Sequence, residues 1–76
     1  MQVSSFVDNF INILEDTDPS KVTPETAFRE LAEWDSLIAL SLIAMADEEY
    51  NVKLTGDDIR SSTTINDLFA KVNAKV

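Results

Sequence analysis

Val3, Phe6, Val7, Phe10, Ile13 and Leu14 recur at three- and four-residue intervals, which predicts one apolar helical stripe from about Ser4 to Asp16. Ser5 and Asp8 suit a reciprocal N-terminal cap, each side chain satisfying an unpaired backbone N–H. Glu15-Asp16-Thr17-Asp18-Pro19 breaks the pattern, because acids at a helix C-terminus oppose its dipole and Pro19 restricts the residue before it. From Pro19 to Trp34 the periodicity lapses into a long connection. Thr23-Pro24-Glu25 reads as an N-cap followed by proline at the first position of a short helix, with Val22, Phe28 and Leu31 as apolar anchors. A connection this long in a small domain is unusual unless it packs on the core or does a job.

Residues 37–46 read Leu-Ile-Ala-Leu-Ser-Leu-Ile-Ala-Met-Ala, with Ser41 the one polar member. They predict a helix from Ser36 to near Tyr50 that is apolar almost all round, more than a single buried face can hold. Either it is enclosed on most sides or part of its surface waits for a partner or ligand. Asp47-Glu48-Glu49 closes it, and Asn51 is a left-handed terminator. Thr55 with Asp58, and Thr64 with Asp67, have capping-box spacing for a short helix and a last helix, the latter with the stripe Ile65, Leu68, Phe69 and Val72. The fold class is therefore all-α, three long helices with a short one between the last two. No alternating strand pattern, repeat or linker interrupts it, so residues 1–76 are expected to form a single domain.

Composition narrows the chemistry. A chain of 76 residues has a thin core. It has no cysteine and no histidine, which excludes disulfides, zinc–thiolate sites, thiol nucleophiles and a self-contained Ser-His-Asp arrangement. A net charge of −8 argues against nucleic acid and anionic membranes, and for partners with basic patches, although acidity also serves plain solubility. The start lacks a signal-peptide pattern, and the ten-residue apolar run is about half of a membrane crossing, so a cytoplasmic monomer with no membrane insertion is expected.

Trp34-Asp35-Ser36-Leu37 stands where the acidic loop becomes the apolar helix. Asp35 can cap that helix and leave the Ser36 hydroxyl pointing outward. From those residues alone, Ser36 is either an ordinary part of a helix cap or a nucleophilic oxygen presented for modification. In this order of segments, with Asp35-Ser36-Leu37 opening the apolar helix and Asp47-Glu48-Glu49-Tyr50 ending it, the chain resembles the acyl carrier proteins over nearly its whole length. The resemblance implies a right-handed helical bundle and a 4′-phosphopantetheine arm on Ser36, transferred from coenzyme A by a phosphopantetheinyl transferase that supplies base and metal. Asp35 and Leu37 would flank the attachment point. Acyl groups would ride as thioesters on the arm's thiol, and Leu40, Ile43, Ala44, Leu54, Ile59 and Leu68 would line the family's acyl pocket or simply form the core. The chain would be a carrier and not an enzyme, acted on by acyl-transferring, condensing or acyl-activating enzymes with basic or apolar docking patches.

Two departures point away from housekeeping fatty-acid members. Glu33 stands where a glycine is common, with Trp34 beside the motif as a partner contact or as packing. Ile38 and Ser41 replace acids that bind partner enzymes, so an exposed Ile38 would make that surface apolar. The acids Asp47, Glu48, Glu49, Asp57 and Asp58 form a further candidate docking surface or a solvated face. Competing readings are an aminoacyl or peptidyl carrier, an unmodified acidic helical interaction module, and a calcium domain around Asp16 and Asp18. The last is opposed by Lys21 at the loop's glycine position and by Pro19.

Overall fold

The computed structural model describes residues 2–76. Helix α1 (Val3–Asn12), α2 (Ser36–Tyr50), α3 (Gly56–Arg60) and α4 (Ile65–Lys75) are joined by loops containing 3₁₀ turns at Pro19–Lys21 and Phe28–Glu30. Among the described residues there is no strand, only an isolated bridge between Ala27 and Thr64. This is the expected all-α arrangement of three long helices and one short one.

The core follows from the apolar stripes. Phe6, Val7 and Phe10 of α1 meet Leu42, Met45 and Ala46 of α2 and Ile65, Leu68 and Val72 of α4. Phe28 inserts from the long loop with no exposed surface, and Val52, Leu54 and Ile59 close the end beneath α3. Helix α1 packs on α4 and α2, and α3 on α4. The long loop is bound to this body by backbone: the N–H groups of Ile65 and Asn66, orphans of the first turn of α4, donate to Thr26 and Pro24 carbonyls at 3.1 and 2.8 Å.

Three local expectations are corrected. Ser5 and Asp8 form no cap, because α1 starts earlier: Gln2 is the N-cap, without a side-chain bond, and partly buried Val3 joins the stripe. Helix α1 also stops at Asn12 and not at Asp16, as Ile13 and Leu14 tighten to the carbonyls three residues back, at 3.2 and 3.0 Å. Thr23-Pro24-Glu25 is a turn closed by Thr26, whose N–H donates to the Thr23 carbonyl at 3.1 Å while its hydroxyl accepts from the Thr23 N–H at 2.8 Å. The chain then runs directly into the 3₁₀ turn at Phe28–Glu30, so no α-helix forms here.

Both capping boxes form, at Thr55/Asp58 and Thr64/Asp67, and Asn51 takes the left-handed conformation with φ 55°. Lys75 first, and the Thr55 N–H second, hold the Asp58 carboxyl down to about 2 from its ordinary 3.8. Asp67 is lowered by the backbone N–H groups of Thr64 and Thr63. A depressed folded-state value means stabilisation that is complete above the unfolded value and lost as the folded group protonates. Stability is thus expected to fall between about pH 4 and pH 2, and Asp58→Asn to flatten that limb in acid titrations followed by circular dichroism. An unchanged acid limb in the variant would remove Asp58 from the account.

Candidate functional site

The site lies where the long loop delivers the chain into α2. Asp35, in extended backbone, caps the helix: its carboxylate accepts from the Ile38 N–H at 2.9 Å. Ser36 is then the first residue of α2 and is exposed. A hydroxyl there faces solvent beside the free N–H groups and positive dipole end of a fifteen-residue helix.

Two residues brace this entrance. The Trp34 indole stacks on Phe10 (centroids 6.5 Å apart, planes 6° apart) and meets Phe28 edge-on at 5.0 Å. Of the two readings of Trp34, packing is therefore realised, although the residue is only half-buried. Glu33 performs a task that no local sequence signal announces. Its carboxylate accepts from the consecutive backbone N–H groups of Glu15, Asp16 and Thr17, the last two at 3.0 and 3.1 Å, and from the Thr17 hydroxyl at 2.8 Å. These bonds, the Glu15 N–H foremost, hold Glu33 below the usual carboxylate range. They tie the exit of α1 to the entrance of α2.

Helix α2 resolves its excess of apolar residues by dividing them between faces. Ile38, Leu42, Met45 and Ala46 are buried. Leu37 and Leu40 are 68% and 63% exposed, and Ala44 and Glu48 continue the same outer stripe. The expectation that Ile38 presents an apolar partner surface is corrected: Ile38 is only 9% exposed, because its position turns it inward one turn before Leu42. The exposed apolar pair is Leu37 and Leu40, with half-buried Ser41 at its flank.

On the other side of Ser36 an open cleft of about 490 Å³ separates α2 from α3, with Trp34, Asp35, Ala39, Leu40, Ile43 and Ile59 among its walls and Gly56, Arg29 and Arg60 around it. Of the candidate pocket residues, it gathers Leu40, Ile43 and Ile59. Ala44 faces a different groove, and Leu54 and Leu68 are buried in the core. Room for a slender apolar group therefore begins at Ser36 itself.

The candidate acidic surface is largely occupied internally. Asp47 pairs with Lys53 at 2.9 Å, Asp57 with Arg60, and Asp58 with Lys75. Glu48 and Glu49 are exposed on the last turn of α2. Asp18, from the candidate calcium stretch, instead caps the 3₁₀ turn by accepting from the Ser20 N–H and hydroxyl at 3.0 and 2.9 Å. Among the described residues no cluster of acids could hold a metal ion, and no helix is long and apolar enough to cross a membrane.

The family model described as the phosphopantetheine attachment site matches residues 8–72. An acyl carrier protein of Thermosynechococcus vestitus is 36% identical over 59 residues, 78% of this chain and 73% of that protein. The meromycolate extension acyl carrier protein of Mycolicibacterium aurum is 31% identical over 72% of this chain, which spans just over half (57%) of that relative. An acyl carrier protein of Rubrobacter xylanophilus is 36% identical over 66% of this chain and 62% of its own length. With the helical bundle, the exposed serine at a helix start and the adjoining apolar cleft, these likenesses place the chain in the acyl carrier protein family, as a carrier with a covalent 4′-phosphopantetheine.

Proposed function

We propose that Ser36 is the attachment point and that the domain 1–76 carries acyl intermediates for fatty-acid-like or specialised acyl or polyketide biosynthesis. The observation that carries this reading is the placement of Ser36: exposed, on the first residue of α2, at the edge of an apolar cleft. When bound, the prosthetic group supplies a terminal thiol that holds acyl units as thioesters. The chain's own residues do the rest. Asp35 fixes the helix start so that the hydroxyl is held outward, and the α2 N-terminus favours the negative charge of a phosphodiester. A separate transferase supplies the base, which accounts for a site without histidine. The cytoplasm and a monomeric state belong to the same proposal.

The thioester test uses the chain's composition. Protein modified from coenzyme A and then acylated should lose its acyl mass in neutral hydroxylamine, and with no cysteine in the chain a labile thioester can reside only on the arm. An acyl mass that resists hydroxylamine would contradict thioester carriage.

The Leu37–Leu40 face supports a specialised pathway. An outer stripe that begins with two exposed leucines suits partner enzymes with apolar docking patches next to the arm. Similarity to carriers named for meromycolate extension supports a specialised lipid pathway. Leu40→Glu is expected to leave folding intact, because the side chain is 63% exposed, and to weaken docking to a cognate acyl-handling enzyme about tenfold or more. Unchanged affinity in surface plasmon resonance would remove this face from the interface.

A further inference from the structure

Arg29 differs from most cations of the chain. Lys53, Arg60 and Lys75 are committed to ion pairs with Asp47, Asp57 and Asp58. Lys71 donates to the Asp58 carbonyl and the Ser61 hydroxyl. Arg29 has no carboxylate within ion-pairing distance among the described residues. Its guanidinium is nevertheless fixed: Nη1 donates to the carbonyls of Ile59 and Arg60 at the end of α3, both at 3.0 Å, and Cζ stands 5.4 Å from the Phe28 ring centroid. Two of its five N–H donors are used in this way, leaving three on a planar fork without a protein acceptor. Arg29 and Ser36 line the same cleft.

A staple between the long loop and α3 needs hydrogen bonds but no net charge. An unpaired, positionally fixed cation lining the same cleft as Ser36, in a chain of net charge −8, fits an oxyanion. The Asp35 carboxylate next to Ser36 makes such a cation more useful, since it would repel any anion attached there. We propose that Arg29 binds an oxyanion carried by the Ser36 arm and so holds the arm along the α2–α3 cleft. This rests on Ser36 being the attachment point. Two groups share the required chemistry: the phosphodiester at the base of the arm, and a carboxylate at the far end of an acyl cargo folded back into the cleft.

The test uses the full chain in apo, phosphopantetheinylated, butyrylated and succinylated forms, with the mass of each established first, so that failure to modify Ser36 is distinguished from failure of the Arg29 assignment. The Arg29 Nε–H resonance is followed across the four forms, and melting temperatures are compared for wild type and Arg29→Gln. A shift of Nε–H on going from apo to phosphopantetheinylated protein, with a modification-induced rise in melting temperature that Arg29→Gln loses, assigns the oxyanion to the phosphodiester. A shift confined to the succinylated form, absent with butyryl, assigns it to the cargo carboxylate. An Nε–H resonance that stays fixed in all modified forms overturns the proposal. So does an equal loss of melting temperature by Arg29→Gln in apo and modified protein, the signature of a staple alone. If the variant does not fold, the wild-type resonances still decide.

Discussion

Ser36→Ala is expected to abolish attachment of the prosthetic group while leaving the fold and its stability nearly unchanged. The cap of α2 is the Asp35 carboxylate, at 2.9 Å from the Ile38 nitrogen, and it survives the substitution. The lost hydroxyl is exposed and makes no hydrogen bond within the protein, and alanine is the best helix former at an exposed position. The change in unfolding free energy should stay within about 0.5 kcal/mol. Urea titration by circular dichroism checks the stability, and mass spectrometry checks the modification. Loss of helical signal in Ser36→Ala would show that fold and site are not separable here.

Phe28→Ala is expected to have the largest effect on stability. Phe28 has no exposed surface, lies edge-on to Phe10 with centroids 6.4 Å apart, and supports Trp34 at 5.0 Å. Removing a fully buried phenyl costs about 3–5 kcal/mol, including the cavity left behind. At about 0.05–0.15 kcal/mol per residue, a chain of this size has only roughly 4–11 kcal/mol in total. The variant should therefore lose a large share of its stability and unfold at a clearly lower urea concentration. With a total at the low end of that range it would be unfolded at room temperature. The site should suffer with it, because the ring holds the indole that precedes Asp35 and anchors the loop that leads into α2. Trp34 fluorescence and circular dichroism in urea measure this, and a midpoint equal to wild type would contradict the packing described.

The elements easiest to read in the sequence were those set by local chemistry. The capping pairs Thr55/Asp58 and Thr64/Asp67 and the terminator Asn51 act over a few residues, and each appears in the structure as expected. Ser5/Asp8 shows the limit of that logic: the same spacing produces no cap where burial of Val3 starts the helix earlier. Long-range roles left no local trace. Glu33 serves backbone groups 16 to 18 residues away, and Arg29 serves carbonyls 30 and 31 residues away. Ile38, expected as a partner contact, is buried while Leu40, expected in the pocket or core, is largely exposed, because a helix apolar all round does not reveal which side is outward. The place of Ser36 at the exposed start of α2 was legible, because Asp35 is a local cap that acts over three residues.

The most direct test of the central claim is the intact mass of the chain after incubation with coenzyme A, magnesium and a promiscuous phosphopantetheinyl transferase, followed by fragmentation to locate the added group. One phosphopantetheine per chain, found on Ser36 and absent from Ser36→Ala, is the predicted result. No mass gain with several transferases, or a gain on another residue, would contradict it.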